Sequence, residues 1–391
     1  MNRPESASAA ETAVLMTRPE RASVAEAAVA TATAAGLVIV SLILSVIIVE
    51  VFCYLFVPSI GRASANERLF DWHHRIIFFD GDGTIFQDRG DIFTYVPHDE
   101  IRNMLGYYSS KNFTVEYDYR FRTNNYGLVQ DFDVAPARPS ILLLGDSFTE
   151  GQGAEPWFRQ LAARADKLPY QLINGGLSGT GFEQWSKLER LLKVDNVHIK
   201  KLIVLFISDD YRRGVWNFFQ PELRCLQSIS ACRGDELNLR MPPATELSAT
   251  VDKIRTIRET PKRRLAQYAR VLLPASFRVY DYLRAEFISD TERAKQRARA
   301  TIADFIKEYG SENVVFMHLP QKDEVDGPNV AGMELRRAIQ EAGGKLYDGF
   351  KLCHLTAADY HVRDAHPNAQ GYGKIANCVD QVLQQITTPV Q

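Results

Sequence analysis

Residues 36–57, GLVIVSLILSVIIVEVFCYLFV, hold a single ionisable group, Glu50. So long an apolar run has one stable backbone solution, a continuous helix, because only a helix satisfies its own N–H and C=O groups away from water. As a helix it extends roughly 33 Å at ~1.5 Å per residue, enough for a bilayer core of about 30 Å. The run is too long, and starts too far into the chain, for a cleaved leader. Residues 36–57 therefore read as a transmembrane helix, with Glu50 near its end snorkelling or facing a partner. Charge does not orient it, since Arg3, Arg18 and Arg21 precede the run and Arg62, Arg68 and Arg75 follow it.

Ahead of the run, residues 1–35 are rich in Ala, Ser, Thr and Glu and read as a disordered tail. Residues 58–138 form a mixed lead-in region with short aromatic runs separated by turn residues. The 46 Lys+Arg against 48 Asp+Glu leave a net charge of −2, which gives no electrostatic footprint for nucleic acid. Cys225 and Cys232 sit in a stretch compatible with either a small disulfide loop or two reduced thiols, and Cys353 and Cys378 read as isolated. The main domain is placed outside the cytoplasm, in the periplasm or beyond it.

From residue 139 the pattern alternates. Short apolar runs at 141–145, 170–173, 201–207, 313–318 and 345–347 read as strands, with helical stretches near 155–166, 182–194, 330–342 and 369–386. Such alternation predicts a parallel sheet covered by helices on both faces, an α/β fold. Residues 211–300 interrupt it after the third strand and read as an insertion capping the site.

Three segments carry chemistry. Ile141 to Leu144 run into Gly145-Asp146-Ser147, which delivers a hydroxyl to the carboxyl end of a strand, where open α/β sheets bind ligands. Asn174-Gly175-Gly176-Leu177-Ser178-Gly179 follows the second strand, and its glycines let backbone N–H groups approach a ligand. Asp364-Ala365-His366-Pro367-Asn368 supplies an imidazole with a carboxylate two residues before it, ahead of a helix that Asn368 can cap. Each has a plainer reading, as a helix cap, a tight turn or a structural histidine. A serine, a histidine and an acid are also the parts that activate an alcohol as nucleophile.

Taken in this order, the three segments resemble the SGNH/GDSL hydrolases over residues 139–388. The resemblance implies a three-layer α/β/α flavodoxin-like fold and a serine esterase that hydrolyses or transfers acyl groups. It implies Ser147 as nucleophile, His366 as general base and Asp364 as the acid, with the Ser147 and Gly179 N–H groups lining the oxyanion hole. Substrates in a cell envelope would be acylated small molecules, glycans or lipids. No cofactor or metal is implied.

Two departures stand out. The family's third block places an asparagine donor where this chain has Asp209, and its acid commonly lies three residues before the histidine, where this chain has Arg363. An ionised Asp209 facing the oxyanion would cost about 4 kcal/mol at ~4 Å and an effective dielectric of ~20. Asp209 is therefore expected to point away, with Asn217 or Arg212 as substitute donors. A catalytically weak binding or acyl-transfer protein is the corresponding alternative. Residues 120–127 could add polar contacts near the first strand. A different class is suggested by Ile76 to Thr84, which looks like the first motif of haloacid-dehalogenase-type phosphatases, with Asp80 as nucleophile, Asp82 as acid and Mg²⁺ alongside. Its simpler reading is a Gly-Asp turn between strands.

Overall fold

The computed structural model describes residues 19–56, 74–80, 84–90, 92–109, 112–155, 157–164, 168–213, 224–225, 228, 231, 240–259, 273–283 and 291–387. Helix α1 spans Pro19–Phe56. It begins well inside the stretch read as a disordered tail. Ala-rich sequence has the highest helix propensity even where it has little to bury, and Pro19 occupies the first helical position, where proline's fixed φ suits the start of a helix. The stretch Val29–Cys53 of α1 is long and apolar enough to cross a membrane, and almost none of it is buried against the protein.

Strands β1 (Arg75–Asp80), β4 (Glu100–Tyr108) and β5 (Phe113–Arg122) form an antiparallel sheet in the order β1-β4-β5, beside a hairpin of β2 (Phe86–Asp88) and β3 (Phe93–Tyr95). Alternation along β1 sends Ile76 and Phe78 to one face, against Val251 and Ile254 of α5 (Leu247–Arg258). Ile77 and Phe79 pack on the other face with Tyr95, Tyr117 and Tyr119. Arg75 shares that second face, which lies against the main domain.

The main domain is the α/β fold expected from the alternation. Its chain order is β6 (Ser140–Gly145), α2 (Ser147–Glu150), α3 (Phe158–Arg164), β7 (Gln171–Gly176), α4 (Phe182–Val194) and β8 (Ile199–Phe206). After helix α6 (Pro274–Leu283) come α7 (Thr291–Tyr309), β9 (Val314–His318), α8 (Val330–Glu341), β10 (Lys345–Asp348), α9 (Gly349–Cys353) and α10 (Ala369–Thr387). The five strands pair in parallel in the order β10-β9-β8-β6-β7. Read from the first strand this is the flavodoxin order, 2-1-3-4-5.

The strands are buried on both faces, which is why they read as unbroken apolar runs. Leu142, Leu144, Val204 and Phe316 meet Trp185 of α4, Ile302 of α7 and Leu335 of α8 on one side. Ile141, Leu143, Ile203 and Met317 meet Leu161 of α3 and Ile375 and Val379 of α10 on the other. Helix α7 begins at Thr291, inside the range read as insertion, and is the helix that returns the chain from β8 to β9. Within that range, α5 packs on the lead-in sheet rather than on the carboxyl end of the main one.

Cys353 and Cys378, read as isolated from sequence, form a disulfide between α9 and α10. Their separation of 25 residues carries no pairing signal, and only the docking of the two helices brings them together. Cys225 is also disulfide-bonded, and Cys232 lies outside the described residues.

Candidate active site

The turn after β6 is tight because Gly145 makes it so. A Cβ there would stand 1.9 Å from Thr149 Oγ1 and 2.5 Å from the Leu205 carbonyl. Gly176, at the end of β7, has the same role against the backbone of Thr149 and Glu150. Asp146 caps α2 by accepting from the Phe148 N–H at 2.9 Å, so the capping task falls to the aspartate. Ser147 is left with its hydroxyl at the carboxyl end of the sheet, 5% exposed.

The structure brings the three predicted residues together. His366 Nε2 lies 2.8 Å from Ser147 Oγ. The other ring nitrogen, Nδ1, contacts Asp364 Oδ1, which also accepts from the His366 backbone N–H at 3.0 Å. A carboxylate can only accept, so Nδ1 carries the proton and Nε2 offers its lone pair to the serine hydroxyl. Asn368 caps α10 just beyond, accepting from the Gln370 and Gly371 N–H groups at 3.0 and 3.1 Å. His361 donates from Nε2 to the Gly153 carbonyl at 2.7 Å, fastening the histidine loop to the segment that follows α2.

Sequence reasoning missed the partner of Asp364. Arg75, from the first residue of β1, places a guanidinium nitrogen 3.1 Å from Asp364 Oδ2. Burial alone would raise the Asp364 carboxyl, but the His366 ring, its hydrogen bonds and Arg75 together hold it well below the usual carboxylate range. Gln152 accepts from Ser178 Oγ at 2.9 Å and donates to Tyr117 Oη of β5 at 2.8 Å. The lead-in sheet thus forms one wall of the site.

Gly179 stands in the loop after β7 with φ +75°, a left-handed conformation that suits glycine. Neither its N–H nor that of Ser147 has a hydrogen-bond acceptor among the described residues. The loop is held by Glu150, whose carboxylate accepts from the Ser178 N–H at 2.7 Å and from Tyr95 Oη at 3.0 Å. Burial pushes the Glu150 carboxyl up to about 7. A carboxyl raised by folding adds stability below its unfolded pKa and loses that contribution as pH climbs through the folded value. Between pH about 4.5 and about 7 the loss amounts to roughly 3 kcal/mol. Glu150→Gln is expected to flatten the pH dependence of urea unfolding across that window, and an unchanged slope would assign the dependence elsewhere.

Asp209 departs from the site. It is exposed on the 3₁₀ turn Ser208–Arg212, accepts from Gln321 Nε2 at 3.0 Å, and makes no contact with Ser147, His366 or Asp364. The inward group is Asp210, which accepts from the Ile207 N–H at 2.8 Å. Burial, and then the nearby Asp146 carboxylate, push the Asp210 carboxyl up. Arg213 bridges these acids, 2.7 Å from Asp146 Oδ2 and 2.9 Å from Asp210 Oδ1, and also donates to the Thr180 carbonyl at 3.3 Å. The cation beside the Gly-Asp-Ser turn is therefore Arg213; Arg212 is exposed, and Asn217 lies outside the described residues.

Residues 120–127 shape the lead-in fold instead of the site. Arg120 and Arg122 pair with Glu100 at the surface, and Asn124 Oδ1 organises a turn by accepting from the Tyr126 and Leu128 N–H groups at 2.9 and 3.0 Å. Asp80 ends an antiparallel strand and is exposed, which removes it from the parallel-sheet edge that the phosphatase motif requires; Asp82 lies outside the described residues. A cavity of about 650 Å³ lined by Phe132, Phe158, Arg159 and Tyr170 lies at the amino end of β7, opposite the serine.

No family model and no curated protein matches the chain. Among solved structures it is similar to a G-D-S-L family protein from Desulfitobacterium hafniense DCB-2, at 13% identity over 63% of this chain and 99% of that one, with a TM-score of 0.32. It is similar to AlinE4, an SGNH-hydrolase family esterase, at 13% identity over 64% and 97% of the two chains, with a TM-score of 0.29. A Bacillus subtilis protein is 12% identical over 81% of this chain and 79% of that one, with a TM-score of 0.35.

Proposed function

We propose that the chain is a membrane-anchored serine esterase that removes or transfers acyl groups of glycan or lipid esters in the cell envelope. The observation that carries this reading is the 2.8 Å contact between His366 Nε2 and Ser147 Oγ, with Nδ1 of the same ring on a buried carboxylate. Ser147 Oγ attacks the ester carbonyl while its proton passes to Nε2, and Asp364 stabilises the imidazolium. The tetrahedral oxyanion is received by the Ser147 and Gly179 N–H groups. His366 then protonates the departing alcohol, leaving an acyl-serine that water or a sugar hydroxyl resolves.

The outward-facing Asp209 supports turnover, since its charge does not oppose the developing oxyanion. The apolar stretch Val29–Cys53 supports the anchor, and the Cys353–Cys378 disulfide supports an oxidising compartment for the domain. Purified full chain is expected to hydrolyse p-nitrophenyl butyrate, and Ser147→Ala to reduce turnover to the buffer rate. Activity retained in that variant would remove Ser147 from its role.

A further inference from the structure

Glu50 is 5% exposed, whereas its neighbours on α1, Val49 and Val51, are 53% and 51% exposed. The cause is α6. The Glu50 carboxylate accepts from the Ala275 N–H at 2.9 Å and the Ser276 N–H at 2.7 Å, the first unpaired donors of that helix. Glu50 is seven residues from Val57, where the apolar run ends, so it sits ~10 Å inside that end at ~1.5 Å per residue. The bond fixes the start of α6 at the same level. From there α6 presents Val279, 58% exposed, and Tyr280, 49% exposed, with the Phe277 and Tyr280 rings 6.3 Å apart.

We propose that α6 lies in the lipid interface of the membrane crossed by α1, pinned there by Glu50. The proposal rests on the reading of α1 as a span. Aromatic and aliphatic side chains at headgroup depth bury in the acyl boundary. Helix α6 is then a second membrane attachment, which holds the catalytic domain close to the bilayer and suits an ester borne by a membrane lipid.

The test uses full-length protein with Cys53→Ser, reconstituted in phosphatidylcholine/phosphatidylglycerol vesicles and labelled with a fluorophore at Leu44→Cys or Val279→Cys. Ester turnover reports that each labelled variant is folded. Lipids brominated deep in the chain are expected to quench the label at 44, and lipids brominated near the headgroup to quench the label at 279. Adding Glu50→Ala should abolish quenching at 279 and leave it at 44. Quenching at 44 without quenching at 279 overturns the proposal and leaves the span intact, whereas no quenching at either overturns both. Quenching at 279 that survives Glu50→Ala overturns the pinning.

Discussion

Asp364→Asn is expected to lower kcat by about 10³- to 10⁴-fold. The wild-type carboxylate serves three donors at once, the His366 ring and the His366 backbone N–H through Oδ1 and the Arg75 guanidinium through Oδ2. An amide has one acceptor, and the cation claims it, because an NH₂ group set against the charged Arg75 donor costs more than one set against the neutral His366 backbone N–H. The amide NH₂ then faces Nδ1 and forces the ring proton onto Nε2, the nitrogen that must accept from Ser147 Oγ. The variant should fold, bind substrate with little change in KM, and fail at proton transfer. A kcat within tenfold of wild type would mean that Asp364 does not set the tautomer.

Arg75→Ala carries the second large effect. Removing one partner of a buried ion pair typically costs about 3–5 kcal/mol, and the low end applies here because Arg75 remains 27% exposed while Asp364 is only 4% exposed. With the guanidinium gone, burial of Asp364 is opposed by His366 alone. A depressed carboxyl stabilises the fold above its unfolded pKa and loses that contribution as pH falls through the folded one. The variant should therefore have less stability to lose on acidification than wild type. Arg75 does not reach Ser147, so it is a positioning residue: kcat should fall ~10²-fold through misplaced geometry, with KM unchanged and partial rescue by Arg75→Lys. A parallel rise in KM, or a stability loss with normal kcat, would contradict the assignment.

The main sheet was legible because each parallel strand is wrapped on both faces and so reads as an apolar run of its own. Ser147 and His366 were legible as local motifs, one on a strand-to-helix turn and the other ahead of a capped helix. Arg75 was not. It belongs to β1, whose partner strands and whose face towards Asp364 are fixed by non-local pairing, and a single arginine before an aromatic run carries no mark of that. Arg212, expected as a substitute oxyanion donor, is exposed, because the 3₁₀ turn after β8 sets the adjacent Arg213 and not Arg212 against Asp146. The Cys353–Cys378 pair depends on the docking of α9 against α10. Residues 19–35 extend the helix of the apolar run, since alanine's helix propensity outweighs their low hydrophobicity.

Covalent capture tests the central claim most directly, since only an alcohol with a base in contact reacts rapidly with a fluorophosphonate. Full-length protein incubated with such a probe and digested for mass spectrometry is expected to carry one adduct, on the peptide containing Ser147, and to lose it in His366→Ala. An unmodified Ser147 in folded protein, or labelling that survives the loss of His366, would contradict an activated serine at this site.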